Sequence, residues 1–172
     1  IVDPFIGRYS LIKVCSGELK ADSVIYNYEK ETEEKLSRIY VLRGKEAIEM
    51  PELKAGDIGA IAKLSNTSTG DTLSLKADPL VFEKFEVQSP YTYKRYEAEN
   101  KGDEDKVSQA LQKMMEEDLT LRAYNDKENH QSLLYGMGDQ HLDVVVSKLE
   151  AKYKVKINLS KPRVPYRETI RK

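Results

Sequence analysis

The sequence predicts two domains, an all-β barrel followed by an α+β ferredoxin-like βαββαβ sandwich. Over the first half of the 172 residues, apolar side chains recur at every second position, and turn signals break the runs every few residues. Over the second half the rhythm changes to strand-like alternation interrupted by two stretches of helical spacing. A composition of 40% hydrophobic residues with 33% charged ones is too apolar for a disordered chain and allows a buried core.

In the first half, Tyr9, Leu11 and Lys13 alternate with Ser10, Ile12 and Val14, and Val24, Tyr26 and Tyr28 alternate with their neighbours. Ile39 and Val41 do the same, as do Ile58, Ala60, Ala62 and Leu64, each set predicting a strand with one buried face. Ser16-Gly17, Ala21-Asp22, Arg43-Gly44-Lys45, Ala55-Gly56-Asp57 and Thr69-Gly70-Asp71 supply the turns. Many short strands with no helix favour a closed barrel, because closure removes exposed strand edges. Residues 29–35, EKETEEK, have no apolar stripe to hold a helix and read as a charged hairpin loop.

In the second half, Tyr91 and Tyr93 begin a strand running to Ala98. Gly102-Asp103 starts a helix, with Asp103 as N-cap and Val107, Ala110, Leu111 and Met114 as its apolar stripe. Leu119, Leu121 and Ala123 predict a strand, 126–129 a turn, and Ser132–Tyr135 another strand. Gly136-Met137-Gly138 leads into a second helix striped by Leu142, Val145, Val146 and Leu149, and Val155, Ile157 and Leu159 close the pattern. That order places both helices on one face of an antiparallel sheet. The expected boundaries are 1–86 for the barrel, 87–163 for the sandwich, and 164–172 for a segment leading toward a further domain, an expectation that the first residue, Ile1, shares in suggesting an excerpt of something longer.

Several function classes drop out. No apolar run approaches the roughly 18–20 residues that span a bilayer, and Ile1-Val2-Asp3-Pro4 is not a secretory signal. Cys15 is the only cysteine, so neither an internal disulfide nor a thiolate cluster can form; it reads as a buried structural thiol rather than a nucleophile. A metal site from His141 with Asp139 and Asp143 is disfavoured because neighbouring helical positions diverge. The pairs Glu33-Glu34 and Glu116-Glu117 read as solvated faces, and no catalytic or metal-binding constellation emerges. Gly136-x-Gly138 before a helix resembles a phosphate cradle, but Asp139 would repel an anion there, and no GxxxxGK[ST] phosphate loop occurs. Residues 148–172 carry nine Lys or Arg against Glu150 and Glu168, on an otherwise acidic body. Lys154, Lys156, Lys161 and Arg163 are accordingly candidates to face RNA, the alternative being a solvated strand face.

Beyond pattern, "DPFIGRYSLIKVCSGELK" at 3–20 and "AGDIGAIAKLSNTSTGDTL" at 55–73 resemble the second domain of translational GTPases. "ALQKMMEEDLTLRAYND" at 110–126, "YGMGDQHLDVVVSKLEAKYKV" at 135–155 and "KPRVPYRETI" at 161–170 resemble the third domain of bacterial elongation factor G and its exit toward the fourth. The resemblance implies a cytoplasmic ribosomal translocase whose GTP, magnesium and catalysis belong to another domain. This chain itself would then need no cofactor and perform no catalysis. Its implied partners are ribosomal RNA and a small-subunit protein, its own GTPase domain and its C-terminal domains, with no membrane. The same resemblance implies that Pro90, Asp118, Thr120 and His141, with Val145 one turn further along the helix, line or support the interface to the GTPase domain where fusidic acid lodges. Leu119, Asp139-Gln140, Asn129-His130 and Asn100 depart from the usual family residues and point to a divergent paralogue. A recycling or ribosomal-protection paralogue is the alternative within the superfamily, with the GMGxxHLD core favouring factor G over protection proteins; a free-standing RNA-binding module is the alternative outside it.

Overall fold

A computed structural model describes residues 2–3, 7–44, 46–62 and 64–170, with side chains from Tyr9 onward. Ile1, residues 4–6, Lys63, Lys45 of the third expected turn, and Arg171 and Lys172 of the basic segment lie outside the described residues. Two compact units divide at Phe85/Glu86.

Unit 1 contains β1 (Val2–Asp3), β2 (Gly7–Lys13), β3 (Glu18–Lys20), β4 (Val24–Asn27), β5 (Thr32–Lys35), β6 (Ile39–Arg43), β7 (Glu46–Met50), β8 (Glu52–Lys54), β9 (Ile58–Ala62) and β10 (Leu73–Ser74). The expected barrel-type, all-β unit is present, but its ladder is not closed. Among the described residues the strands form three open sheets, ordered β1-β2-β9-β6-β7, β10-β4-β5 and β3-β8, with antiparallel pairing throughout. Backbone bonds outside the ladders, from the Ala21 N–H to the Pro51 carbonyl and from the Asp22 N–H to the Ser37 carbonyl, tie strand ends together between the sheets. Ile25, Leu36, Ile61 and Leu64 form one buried cluster and Val14, Ile39 and Leu53 another, with Ile12 and Leu19 packed against both. Gly59 lies where an added Cβ would collide with the Leu53 side chain, so the absence of a side chain lets Leu53 reach β9.

Three face assignments are corrected, the first in β2, where Tyr9 is buried but Leu11 on the same expected face is exposed. In β4 the buried residues are Ile25 and Asn27, while Val24 is exposed and Tyr26 packs edge-on against Tyr28. In β9 Ala60 and Ala62 are buried as expected but Ile58 is exposed, and Gly59 and Ile61 are buried as well. Both faces of this central strand are covered, the second by a cluster of Tyr9, Ala60 and Ala62 with Tyr40 and Leu42. Residues 29–35 are only partly loop. The turn ends at Glu31, with a left-handed φ of 52°, and Thr32–Lys35 form β5. Cys15 is exposed rather than buried, because β2 ends at Lys13 and the chain has already turned toward Gly17.

Unit 2 follows the predicted order: β11 (Thr92–Ala98), α1 (Glu104–Glu117), β12 (Arg122–Asp126), β13 (Gln131–Gly136), α2 (Asp139–Lys148) continued by a π-helical turn (Leu149–Tyr153), and β14 (Ile157–Ser160). The sheet order β12-β13-β11-β14, antiparallel throughout, is that of a ferredoxin-like sandwich. One core unites Val107, Ala110, Leu111 and Met114 of α1 with Leu142 and Val145 of α2, Leu121, Leu134, Leu149, Val155 and Ile157. Asp103 occupies the N-cap position of α1 but makes no capping bond; its carboxylate holds Lys106 Nζ at 2.8 Å instead. The strand expected from Leu119 begins only at Arg122, because Asp118 organises a turn ahead of it. Neither helix among the described residues is long and apolar enough to cross a membrane.

Candidate functional site

Of the predicted residues, Asp118, Thr120 and His141 converge where α1 ends and α2 begins. Asp118 is the C-cap of α1, its N–H reaching the Met114 carbonyl and its backbone extended. Its Oδ1 accepts the Thr120 N–H at 2.9 Å and the Thr120 hydroxyl at 2.6 Å, which fixes the carboxylate's direction. Its Oδ2 then lies 3.0 Å from His141 Nε2, in the first turn of α2. The Met137 N–H donates to His141 Nδ1 at 3.1 Å, so that nitrogen bears no proton and Nε2–H is the one that donates to Asp118. Gly136 makes this approach possible: a Cβ there would lie 2.8 Å from Leu142 Cδ2 and 3.1 Å from His141 Nδ1.

Burial pushes the Asp118 carboxyl up, but the Thr120 hydroxyl and N–H, together with His141, outweigh it and hold the group below its ordinary value. The loop resembling a phosphate cradle is otherwise engaged. His141 takes the Met137 N–H, and Asp139, rather than joining His141 in a metal site, meets Lys94 Nζ of β11 at 3.0 Å. Val145, one turn further along α2, is buried in the core. Pro90 precedes β11 by two residues, on the side of the sheet where Thr92 pairs with Gly136.

The basic candidates are dispersed. Lys154 ends the π-helical turn in a left-handed conformation, and Lys156 is held by Glu150 at 3.1 Å, an interaction that raises the lysine's pKa. Lys161 is exposed, whereas the Arg163 main chain is clasped by the Gln131 side chain through bonds of 2.8 and 3.0 Å.

Sequence reasoning missed a second polar centre, in unit 1. Buried Asn27 donates to Asp71 Oδ2 at 2.9 Å and to the Asn66 carbonyl, and its Oδ1 accepts the N–H groups of Glu29 and Lys30. Glu34, expected to be solvated, is buried and accepts the Asn66 N–H and the Thr67 hydroxyl. Asp71 also accepts the Ser68 N–H and lies 3.2 Å from Lys84 Nζ. Burial alone would raise its pKa, but these donors bring it down to about 2. The Thr69-Gly70-Asp71 turn was the legible trace of this clasp; its buried partners on β4 and β5 were not.

Both units match known families. Residues 1–76 match the family model described as elongation factor G domain 2, and residues 88–161 match the one described as elongation factor G, domain III. The chain belongs to the elongation factor G family. It covers domains II and III of that translation elongation factor, in the order the fold displays. A crystal structure of a protein from Thermus thermophilus superposes with a TM-score of 0.86 at 30% identity. The match covers 99% of this chain and 26% of the Thermus protein, so the chain spans about a quarter of that relative's length.

Proposed function

We propose that this chain is a coupling segment of an elongation factor G-type ribosomal translocase: it contacts the ribosome and passes on the state of a GTPase domain without itself binding or hydrolysing GTP. The observation that carries this reading is the Asp118–His141 connection. It ties the C-terminal end of α1 to the N-terminal end of α2 and to the Gly136–Asp139 loop, so a push at that end moves the ferredoxin-like unit as a body. In this reading Pro90, Asp118, Thr120 and His141 form the surface that meets the GTPase domain and supports the fusidic acid pocket, and Val145 holds that surface rigid from the core. Lys154, Lys156, Lys161 and Arg163 then contribute positive charge toward ribosomal RNA. Guanine nucleotide and magnesium belong to the domain that these residues face.

The isolated chain incubated with labelled GTP should show neither retention nor turnover, and detectable hydrolysis would overturn the reading. In the full-length parent, His141→Ala should preserve GTP binding, lower the rate of translocation and change fusidic acid sensitivity. Unchanged translocation with unchanged sensitivity would remove the relay role.

A further inference from the structure

In a four-stranded antiparallel sheet covered by helices on one side, the other face is ordinarily solvated and polar. Unit 2 departs from this. The positions that alternate away from the helix-covered core are Arg122, Tyr124 and Asp126 on β12, Gln131, Leu133 and Tyr135 on β13, Tyr93, Arg95 and Glu97 on β11, and Asn158 and Ser160 on β14. The strand register sorts them into rows. Arg122, Tyr135 and Tyr93 form one row across three strands. Tyr124, Leu133, Arg95 and Ser160 form the next.

Tyr93 and Tyr135 stack with centroids 5.0 Å apart and planes 22° from parallel. Tyr93 is 45% exposed and Tyr124 59%, so large ring surfaces are left in water on this face. Burial and the nearby Tyr93, Asp126 and Tyr124 push the Tyr135 phenol up, as expected if these groups share one surface.

Charge is unevenly distributed over the same face. The two tyrosine-bearing rows hold Arg122 and Arg95 and no carboxylate, whereas the acidic groups Asp126 and Glu97 lie in the row beyond. Asp126 is engaged by the turn after β12, accepting from the N–H groups of Glu128 and Asn129 and from the Gln131 amide. Arg95 bonds Glu97 through its terminal nitrogen, while its buried Nε–H has no acceptor among the described residues. The chain after β14 crosses to Gln131, two strands away, and so borders the acidic side.

Exposed rings in register with the Arg122 guanidinium, the Arg95 guanidinium of the adjoining row being bonded to Glu97, suit a partner that offers flat π-faces and negative charge together. Unpaired nucleotides do so. Aromatic side chains on the two central strands of a βαββαβ sheet are also the arrangement by which single-stranded RNA is held on such sheets. We propose that this end of the unit 2 sheet, presenting Tyr93, Tyr135, Tyr124 and Arg122, is a docking platform for unpaired RNA, with bases stacked on the tyrosine rings and a phosphate on the Arg122 guanidinium. The surface lies within one unit, so it binds RNA whether or not the chain takes part in translocation, and the two readings fail separately.

The test uses the 172-residue chain and a short fluorescent oligoribonucleotide of mixed sequence, single-stranded or annealed to its complement, followed by anisotropy at low salt. Saturable, salt-sensitive binding that favours the single strand is expected. The double variant Y93L/Y135L keeps apolar bulk but removes the stacking faces and should weaken binding about 100-fold, at about tenfold per ring. Arg122→Gln should reduce the magnitude of the salt slope by about 0.7. Should the double variant misfold by circular dichroism, Tyr124→Ser, which removes a largely exposed ring, takes its place with an expected loss of about tenfold. Absence of saturable binding by the folded chain overturns the proposal, as does duplex binding as tight as single-strand binding or affinity indifferent to the tyrosine variants. Self-association abolished by those variants, in a chain that ignores RNA, also overturns it and assigns the face to a second copy of the chain.

Discussion

The two units reach a fixed structure by different routes. Unit 2 has one continuous apolar core shared by both helices and the sheet, and its polar bonds sit at the ends of elements. Unit 1 has three smaller apolar clusters, and the loop around 66–72 is joined to the β4–β5 hairpin by a buried polar clasp centred on Asn27, Glu34 and Asp71. Short strands present little continuous apolar face, so hydrogen bonds inside the unit take on part of the task that interdigitated side chains perform in unit 2. Volume lost from the core should therefore damage unit 2 most, and lost polar partners should damage unit 1 most.

The largest expected effect is Leu142→Ala. Leu142 is fully buried beneath Gly136, and its truncation should destabilise unit 2 by about 2–5 kcal/mol, with faster amide exchange in α1, α2 and β13 and little change in β2, β6 and β9. Exchange that rises equally in both units would erase the contrast. Asn27→Ala comes next. It leaves Asp71 short of a donor and the N–H groups of Glu29 and Lys30 without their acceptor, and should cost unit 1 about 1–3 kcal/mol, read as exchange confined to residues 24–36 and 64–74.

Acid sharpens the same comparison. The Asp71 carboxyl titrates at about 2 in the folded chain against an ordinary 3.8, so its contribution is present above pH 3.8 and is lost as pH falls toward 2. Over that interval unit 1 should lose about 2 kcal/mol, and Asp71→Asn should flatten the slope. A urea midpoint for unit 1 that does not move between those pH values would contradict the clasp. The smallest effect is Asp118→Ala. This partly exposed carboxylate should contribute about 1 kcal/mol, detected as faster exchange at Thr120 with the core of unit 2 protected.

The helical stripes Val107, Ala110, Leu111, Met114 and Leu142, Val145, Leu149 were legible because a helix buries residues at its own spacing, and each of these is buried, while Val146 of the second stripe is only partly so. The turns at Gly17, Gly44, Gly56 and Gly70 were legible for a similarly local reason: each glycine adopts a positive φ. The pairing of Asp118 with His141 was not readable from spacing. The two residues are 23 apart, and only the packing of α1 beside α2 brings them within 3.0 Å; the family resemblance grouped them without supplying the contact.

Strand parity shows where local information ends. Val24, Tyr26 and Tyr28 form a more apolar alternation than Ile25 and Asn27, yet the second set is buried, because the cluster of Leu36, Ile61 and Leu64 and the Asp71 turn lie on that side. Glu34 is buried for the same reason. The two-part architecture, the βαββαβ order and the helix faces follow from periodicities and turn residues within a few positions of one another, so local chain chemistry is enough to specify them. The tertiary structure decided which face of each unit 1 strand is inward, how three open sheets enclose a core, and which distant carboxylates acquire partners, because each depends on what segments dozens of residues away place against it.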